Sequence, residues 1–321
     1  MTLVLRTRRE SFSVRIPLRP VVVGAVLALV TLALAVVAMG IGDYPVAPGE
    51  VVDTLLGGGS RATSFIIETL RLPRVLCAVL VGAALGISGA IFQSLTGNPL
   101  GSPDIVGFTS GSATGALVVI TLLGGSGLQI SAGALVGGLA TAGIVYALAF
   151  KRGVSGYRLV LIGIGISALA LAANDYLLTR ARIEEAVAAT VWLVGSLNGR
   201  GWDEVRPLAG ALVVLVPAAL LQSRSLRLLE MGDDAARALG LRFERARLAI
   251  VLVAVALVAV ATTAAGPIGF VALAAPQLAR RLTRLPTPGI ATSALMGAGL
   301  LLASDIAGQR WWATPSCRWG S

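Results

Sequence analysis

Residues Ser223–Arg247 read SRSLRLLEMGDDAARALGLRFERAR, a polar island between two long apolar runs. The island holds six arginines (Arg224, Arg227, Arg237, Arg242, Arg245, Arg247) against four acids (Glu230, Asp233, Asp234, Glu244). Short loops rich in arginine between membrane spans stay on the cytoplasmic side, which places this segment inside. Within it, Leu229-Glu230-Met231-Gly232 leads into Asp233-Asp234-Ala235-Ala236-Arg237-Ala238-Leu239-Gly240. Acids at the start suit a helix dipole, alanine and leucine fill the middle, and glycine ends it, so a short helix is predicted. Such a helix between two spans is either an ordinary solvated loop or a surface for another protein to push on.

The flanking runs decide the class. Of 321 residues, 56% are hydrophobic and 13% charged, with a mean hydropathy of +0.85, which describes a multi-pass membrane protein. The net charge of +10 comes from arginines clustered between apolar runs, so positive-inside retention accounts for it and no nucleic-acid partner is expected. Histidine is absent, which removes the commonest acid/base group and metal ligand. Cys77 lies in an apolar run and Cys317 near the end of the chain, so neither a disulfide framework nor a metal site is expected. Arg6, Arg8, Arg9, Arg15 and Arg19 mark residues 1–20 as a basic cytoplasmic N-terminus. The apolar run after it is too long for a cleaved signal and reads as a retained first span.

Spans are read at 21–41, 75–92, 105–124, 128–150, 159–178, 206–222, 248–264, a short apolar segment ending at Pro276-Gln277, and 288–304. Basic loops at Lys151–Arg158, Ser223–Arg247 and Arg280–Arg284 alternate with segments around Asp43–Glu68, Arg180–Trp202 and Asp305–Arg310, and the signs stay consistent through nine crossings. Small residues crowd the second span (Gly82, Ala83, Ala84, Gly86, Ser88, Gly89, Ala90), which predicts close helix approach in lipid. Two breaks interrupt the apolar pattern, Gly97-Asn98-Pro99-Leu100 through Asp104 and Gly266-Pro267-Ile268-Gly269-Phe270. The first is either a simple turn or a hinge lining a path, and the pair are candidates for corresponding points of an internal repeat.

Four stretches carry a resemblance to the FecCD family, the membrane permeases of ABC importers for ferric siderophores, haem and cobalamin. They are Arg71-Leu72-Pro73-Arg74 with the following VLCAVLVGAALGISGAIFQSLTGNPL, Asp104-Ile105-Val106-Gly107 through Gly111, Gly232–Gly240, and Gly266-Pro267-Ile268-Gly269-Phe270-Val271 to Pro276 and Arg280. The resemblance covers roughly residues 20–310 and implies an all-α, type II ABC importer permease fold in the bacterial inner membrane. It implies a transmembrane permease domain over 21–310 with a coupling segment at 223–247. It also implies a second permease subunit (the same chain or another), ABC ATPase subunits inside, and an extracytoplasmic substrate-binding protein outside. Carried over by position, Arg71, Arg74 and Arg310 would dock the binding protein, although arginines snorkelling to the interface are the plainer reading. Asn98 and Leu100 with Ser155, Gly156 and Tyr157 would form a cytoplasmic gate. Gly232, Asp233, Asp234, Ala235, Ala236, Leu239 and Gly240 would seat on the ATPase. Ala272 and Gln277 stand where the family usually has Gly and His, and no catalytic role hangs on either position.

ATP and magnesium belong to the partner ATPase on this reading, since no Gly-x-x-x-x-Gly-Lys-Ser/Thr loop occurs here, and no cofactor, metal or catalytic residue is expected in this chain. About nine membrane helices are expected. The resemblance implies a tenth beyond Arg310, where the chain instead reads WWATPSCRWGS over 311–321. That aberrant tail suggests a frameshift that removed the last helix, which reading the gene in every frame would check. The expected cargo is an iron(III)–siderophore complex, with haem or cobalamin as alternatives that the sequence does not separate. A secondary transporter driven by protons or sodium predicts ionisable groups deep in the spans, whereas the acids here lie near ends or breaks. An intramembrane enzyme lacks histidine, and the one lysine, Lys151, is in a loop.

Overall fold

In hydrocarbon every backbone amide must be paired within the chain, and a chain this apolar meets that demand with helices. The structure is a computed structural model that describes residues 2–6, 13–42, 44–149 and 156–311. Ser155 and the tail 312–321, with Cys317, lie outside the described residues. Two short strands, β1 (Thr2–Arg6) and β2 (Ser13–Pro17), pair antiparallel before the first helix. The rest is helical. The order is α1 (Leu18–Gly40), α2 (Pro48–Leu55), α3 (Arg61–Ser64), α4 (Leu72–Thr96), α5 (Phe108–Leu122), α6 (Leu128–Ala149) and α7 (Gly156–Arg180). It continues with α8 (Ile183–Val194), α9 (Trp202–Leu221), α10 (Ser223–Glu230), α11 (Asp233–Ala238), α12 (Phe243–Ala265), α13 (Val271–Thr283) and α14 (Ile290–Trp311).

Among the described residues, seven helical stretches are long and apolar enough to cross a membrane: α1, Arg61–Thr96, α6, α7, α9, α12 and α14. The second of these runs from α3 into α4 through a wide π-helical stretch, Phe65–Arg71. Pro73 supplies a cause, because it has no N–H to offer the carbonyl four residues back and its ring crowds that turn. The sequence pattern placed no helix between the first two spans or at 183–194, where α2, α3 and α8 stand.

The most buried of the spanning helices is α4, and its small residues are the reason. A Cβ on Gly82 would overlap the Gly297 carbonyl, one on Gly86 the Ser293 carbonyl, and one on Gly89 the Ala272 carbonyl. These contacts fix α14 antiparallel to α4 and set α13 beside them at backbone distance. Without a hydrophobic effect between helices in lipid, close van der Waals packing of this kind is what holds them together. A second seam of the same type joins α5 to α6, where Gly115 meets Gly133 and Gly137. By contrast α1, α7 and α9 bury few residues and present apolar flanks outward.

Contacts at the helix ends sort the molecule into two poles. Arg19 at the start of α1 donates to the Leu282 carbonyl near the end of α13 (2.9 Å), and Gly156 at the start of α7 packs on Leu95 and Thr96 at the end of α4. The arginine-rich segments gather at this inner pole. At the other, outer pole, the end of α1 meets the start of α4, and the end of α14 meets Arg74.

The two breaks do not lie at the poles. Val106 packs on Gly163 and Gly107 on Ser167, about 10 and 16 Å along α7 from its first residue. The chain after Thr96 therefore turns back into the bundle before α5 begins. Span 105–124 is thus corrected to a 15-residue helix, Phe108–Leu122, that starts part-way across. The second break does the same from the opposite pole. The Ser196 amide donates to Ala265 at the end of α12 (2.8 Å), whereas Ala272 lies against Gly89, about 22 Å down α4 from Arg74. Gly266–Phe270 descends between those levels, and α13 is a half-span running to the inner pole.

Candidate functional site

Three places bear on transport: the outer pole, the level where the two breaks meet, and the inner pole. At the outer pole the Arg71 guanidinium donates to the Met39 carbonyl (2.7 Å) and the Tyr44 carbonyl (2.6 Å), which fastens the turn after α1 to the base of α4. Arg74 makes a two-pronged contact with Asp305 of α14 (3.1 and 2.8 Å) and a third bond to Asn198 Oδ1 (3.3 Å). Gln309 Nε2 donates to the same carboxylate at 2.7 Å. A fork of this geometry is the strongest arrangement open to an arginine and a carboxylate. Arg310 is exposed at the end of α14. Of the three arginines singled out in the sequence, two therefore hold helices together. A cavity of about 490 Å³ opens at this pole, lined among others by Arg74, Ser196, Ile268, Gly269, Asp305 and Gln309. Its wall includes the descending Gly266–Phe270 stretch.

At the level of the breaks, Asp104 is the meeting point. Its carboxylate accepts a hydrogen bond from Thr109 Oγ1 (2.7 Å) and faces the backbone N–H of Phe270. Phe270 precedes α13, has a left-handed φ of 71°, and leaves its ring 73% exposed. A non-glycine residue in that conformation is uncommon, and the carboxylate facing its amide favours it. The same carboxylate stands at the positive end of the α13 dipole, where a negative group is favoured. Beside it, Gln277 Nε2 donates to Gln93 Oε1 and reaches the Pro99 carbonyl (3.4 Å), while Gln93 Nε2 donates to the Leu273 carbonyl (3.0 Å). These two glutamines tie the Gly97–Leu100 turn to the middle of α13.

The residues expected to form a gate sit just below this cluster. Asn98 Oδ1 accepts the Leu100 N–H (2.9 Å) and so closes the turn on itself, and the Leu100 side chain is 63% exposed. Gly156 lies in van der Waals contact with Leu95 and Thr96, and the adjacent Tyr157 is exposed. The structure thus brings Gly156 and Tyr157 to the α4 end that carries Asn98 and Leu100.

At the inner pole α10 buries Leu226 and Leu229 and turns at Gly232 (φ 101°) into the six residues of α11. Gly240 (φ 80°) ends that turn, as its place in the sequence predicts. Ala236 is fully buried, and its carbonyl accepts the Leu241 N–H (3.1 Å). Ala236 therefore faces the protein rather than a partner. The exposed apolar groups here are Met231 and Leu239, with Ala235 half-buried between them.

The sequence profile of the FecCD transport family matches residues 26–317. The chain belongs to the FecCD transport family. The ferric enterobactin transport system permease protein FepG of Escherichia coli is 47% identical over 261 residues, 81% of this chain and 79% of its own. The achromobactin transport system permease protein CbrC of Dickeya dadantii is 38% identical over 95% of this chain and 88% of its own. A solved structure, described as an inward-facing conformation of a metal-chelate type ABC transporter, matches with a TM-score of 0.81 at 28% identity over 92% of each chain. This FecCD chain accordingly has a multi-pass permease fold. Reading the sequence missed Gln93, Asp104, Thr109 and Phe270 as a set and passed over Gln277. A signal for them existed in the density of polar residues beside the first break, but not in any spacing between the two breaks.

Proposed function

We propose that this FecCD chain is the membrane-spanning subunit of an ATP-driven importer that carries an iron(III)–siderophore complex across the bacterial inner membrane. The observation that carries this reading is the 47% identity with a ferric enterobactin permease over 81% of the chain. Three features of the geometry support it: a polar outer cavity, two broken helices meeting inside the bundle, and a short helix presented at the inner pole. On this reading the cargo arrives from an extracytoplasmic binding protein. Arg310 meets one of its carboxylates, while Arg71 and Arg74 shape the docking surface from behind. A second permease subunit, the same chain or another, completes the path. Below the Asp104 cluster, Asn98, Leu100, Gly156 and Tyr157 close the path toward the cytoplasm.

ATP and magnesium bind to the ATPase subunits, and this chain supplies neither catalytic group nor cofactor. Met231 and Leu239, 64% and 59% exposed, are the apolar contacts for the ATPase, with Gly232, Gly240 and the helix between them setting their spacing. Nucleotide-driven closure of the ATPases pushes α11, and the broken helices shift between outward-open and inward-open arrangements.

The test pairs co-purification with uptake. The solubilised chain is isolated with the ATPase encoded beside it, and cells are assayed with radio-iron ferric enterobactin. The wild type retains the ATPase, whereas Leu239→Glu weakens retention about tenfold or more, as expected for a charge placed at the centre of a contact. An intact, folded chain that binds no ATPase sinks the importer reading. Uptake of haem or cobalamin in place of ferric enterobactin replaces the cargo and leaves the importer standing.

A further inference from the structure

Arg237 lies on α11 with its guanidinium carbon 4.6 Å from the centroid of the Phe243 ring, and Arg247 lies 5.3 Å from the same centroid. Phe243 is the first residue of α12 and 5% exposed, and Arg247, one turn further along α12, is 3% exposed. Both distances fall within the range of cation–π attraction. A guanidinium this buried at the base of a spanning helix is an expensive occupant of a position that leucine would pack at no electrostatic cost. The short connection Leu239–Arg242 joins α11 to α12 and folds back on α11 through the Leu241 N–H to the Ala236 carbonyl.

We propose that Phe243, held by Arg237 from α11 and Arg247 from α12, is the positioning residue through which displacement of the coupling helix moves α12. The proposal rests on the importer reading above. From Phe243 the route is structural. Helix α12 is a rod of 23 residues whose Ala254 carbonyl accepts Ser88 Oγ of α4 (2.8 Å). Its far end leads through Gly266–Phe270 to Asp104, the point where the two broken helices meet. A push on α11 delivered to the base of α12 therefore reaches the path through one non-helical stretch, Gly266–Phe270. Two guanidinia on one ring make the junction stiff but not covalent, and an aromatic face is needed at its centre.

The experiment uses the complete transporter, with ATPase, second permease subunit and binding protein, in liposomes. It reads the amount of radio-iron ferric enterobactin taken up per ATP hydrolysed. Phe243→Leu keeps an apolar side chain but removes the π face, and Arg237→Gln changes an exposed residue whose loss leaves the fold intact. Each lowers the uptake-to-ATP ratio about three- to tenfold, the scale of one lost cation–π contact in a two-state equilibrium. Phe243→Trp and Arg237→Lys restore most of it, which a simple packing role would not predict for both. If Phe243→Leu fails to reach the membrane, Arg237→Gln decides. Ratios equal to wild type in both variants overturn the proposal. So does release of the ATPase by Arg237→Gln, because that assigns the guanidinium to the ATPase face. A wild-type complex that hydrolyses ATP and moves no iron removes the transport reading and this one with it. Wild-type uptake with unaffected variants removes this one alone.

Discussion

At the scale of single residues, the polar groups of this chain serve its joints. Asp104 accepts the Thr109 hydroxyl and faces the Phe270 amide, so Asp104→Ala leaves the hydroxyl without its acceptor. The expected loss is roughly 1–3 kcal/mol, with Asp104→Asn losing less because an amide oxygen still accepts, measured by unfolding in mixed micelles. Equal stability of all three proteins would show that the carboxylate does not hold the breaks together. Arg74 and Asp305 give a second test, since their side chains are 26% and 8% exposed and meet in a fork. A double-mutant cycle with Arg74→Ala and Asp305→Ala should return a coupling of about 1 kcal/mol or more, and additivity would refute the joint. Neither role was legible in the sequence. Arg71 and Arg74 lie 32 and 231 residues from the partners they bond, and composition near an arginine says nothing about a group that distant.

At the scale of elements, the small residues of α4 carry the packing. Gly86 faces the Ser293 carbonyl, and a branched side chain there can be fitted only by moving α14 away. Gly86→Leu is expected to abolish accumulation of folded protein in the membrane, while Gly165→Ala on α7, which meets nothing within 4 Å, is tolerated. Fluorescence-detected size exclusion of tagged variants separates the two, and a well-folded Gly86→Leu protein would contradict the seam. The run of glycine and alanine marks this helix as a packing element in the sequence itself. It did not name the partners, since α14, α13 and α12 approach α4 from distant parts of the chain. The half-length of α5 and α13 was also hidden. An apolar run reports how oily a segment is, and a helix that starts inside the bundle is as oily as one that starts at its edge.

At the scale of the molecule, the arginine-rich loops fall at one pole and the Arg74–Asp305 joint at the other, which makes the orientation testable. A cysteine at Leu56, 82% exposed in the segment after α2, should react with an impermeant maleimide in spheroplasts. A cysteine at Ala238 in α11 should react only in inverted vesicles. The reverse pattern would invert the membrane orientation and with it the assignment of α11 to the ATPase side.

The sequence by itself determined that the chain lives in a membrane, how its basic and acidic loops alternate, where the short helix after α10 lies and which family it belongs to. All of these follow from local composition, charge sign and short motifs, which are properties of contiguous residues. Tertiary structure alone decided that both breaks turn back into the bundle and meet at Asp104, that Arg71 and Arg74 bond within the chain, and that Ala236 faces inward while Leu239 faces out. These depend on which helices lie side by side. In lipid that choice is made by close backbone approach between glycines far apart in the chain, a fit that no single stretch of sequence records.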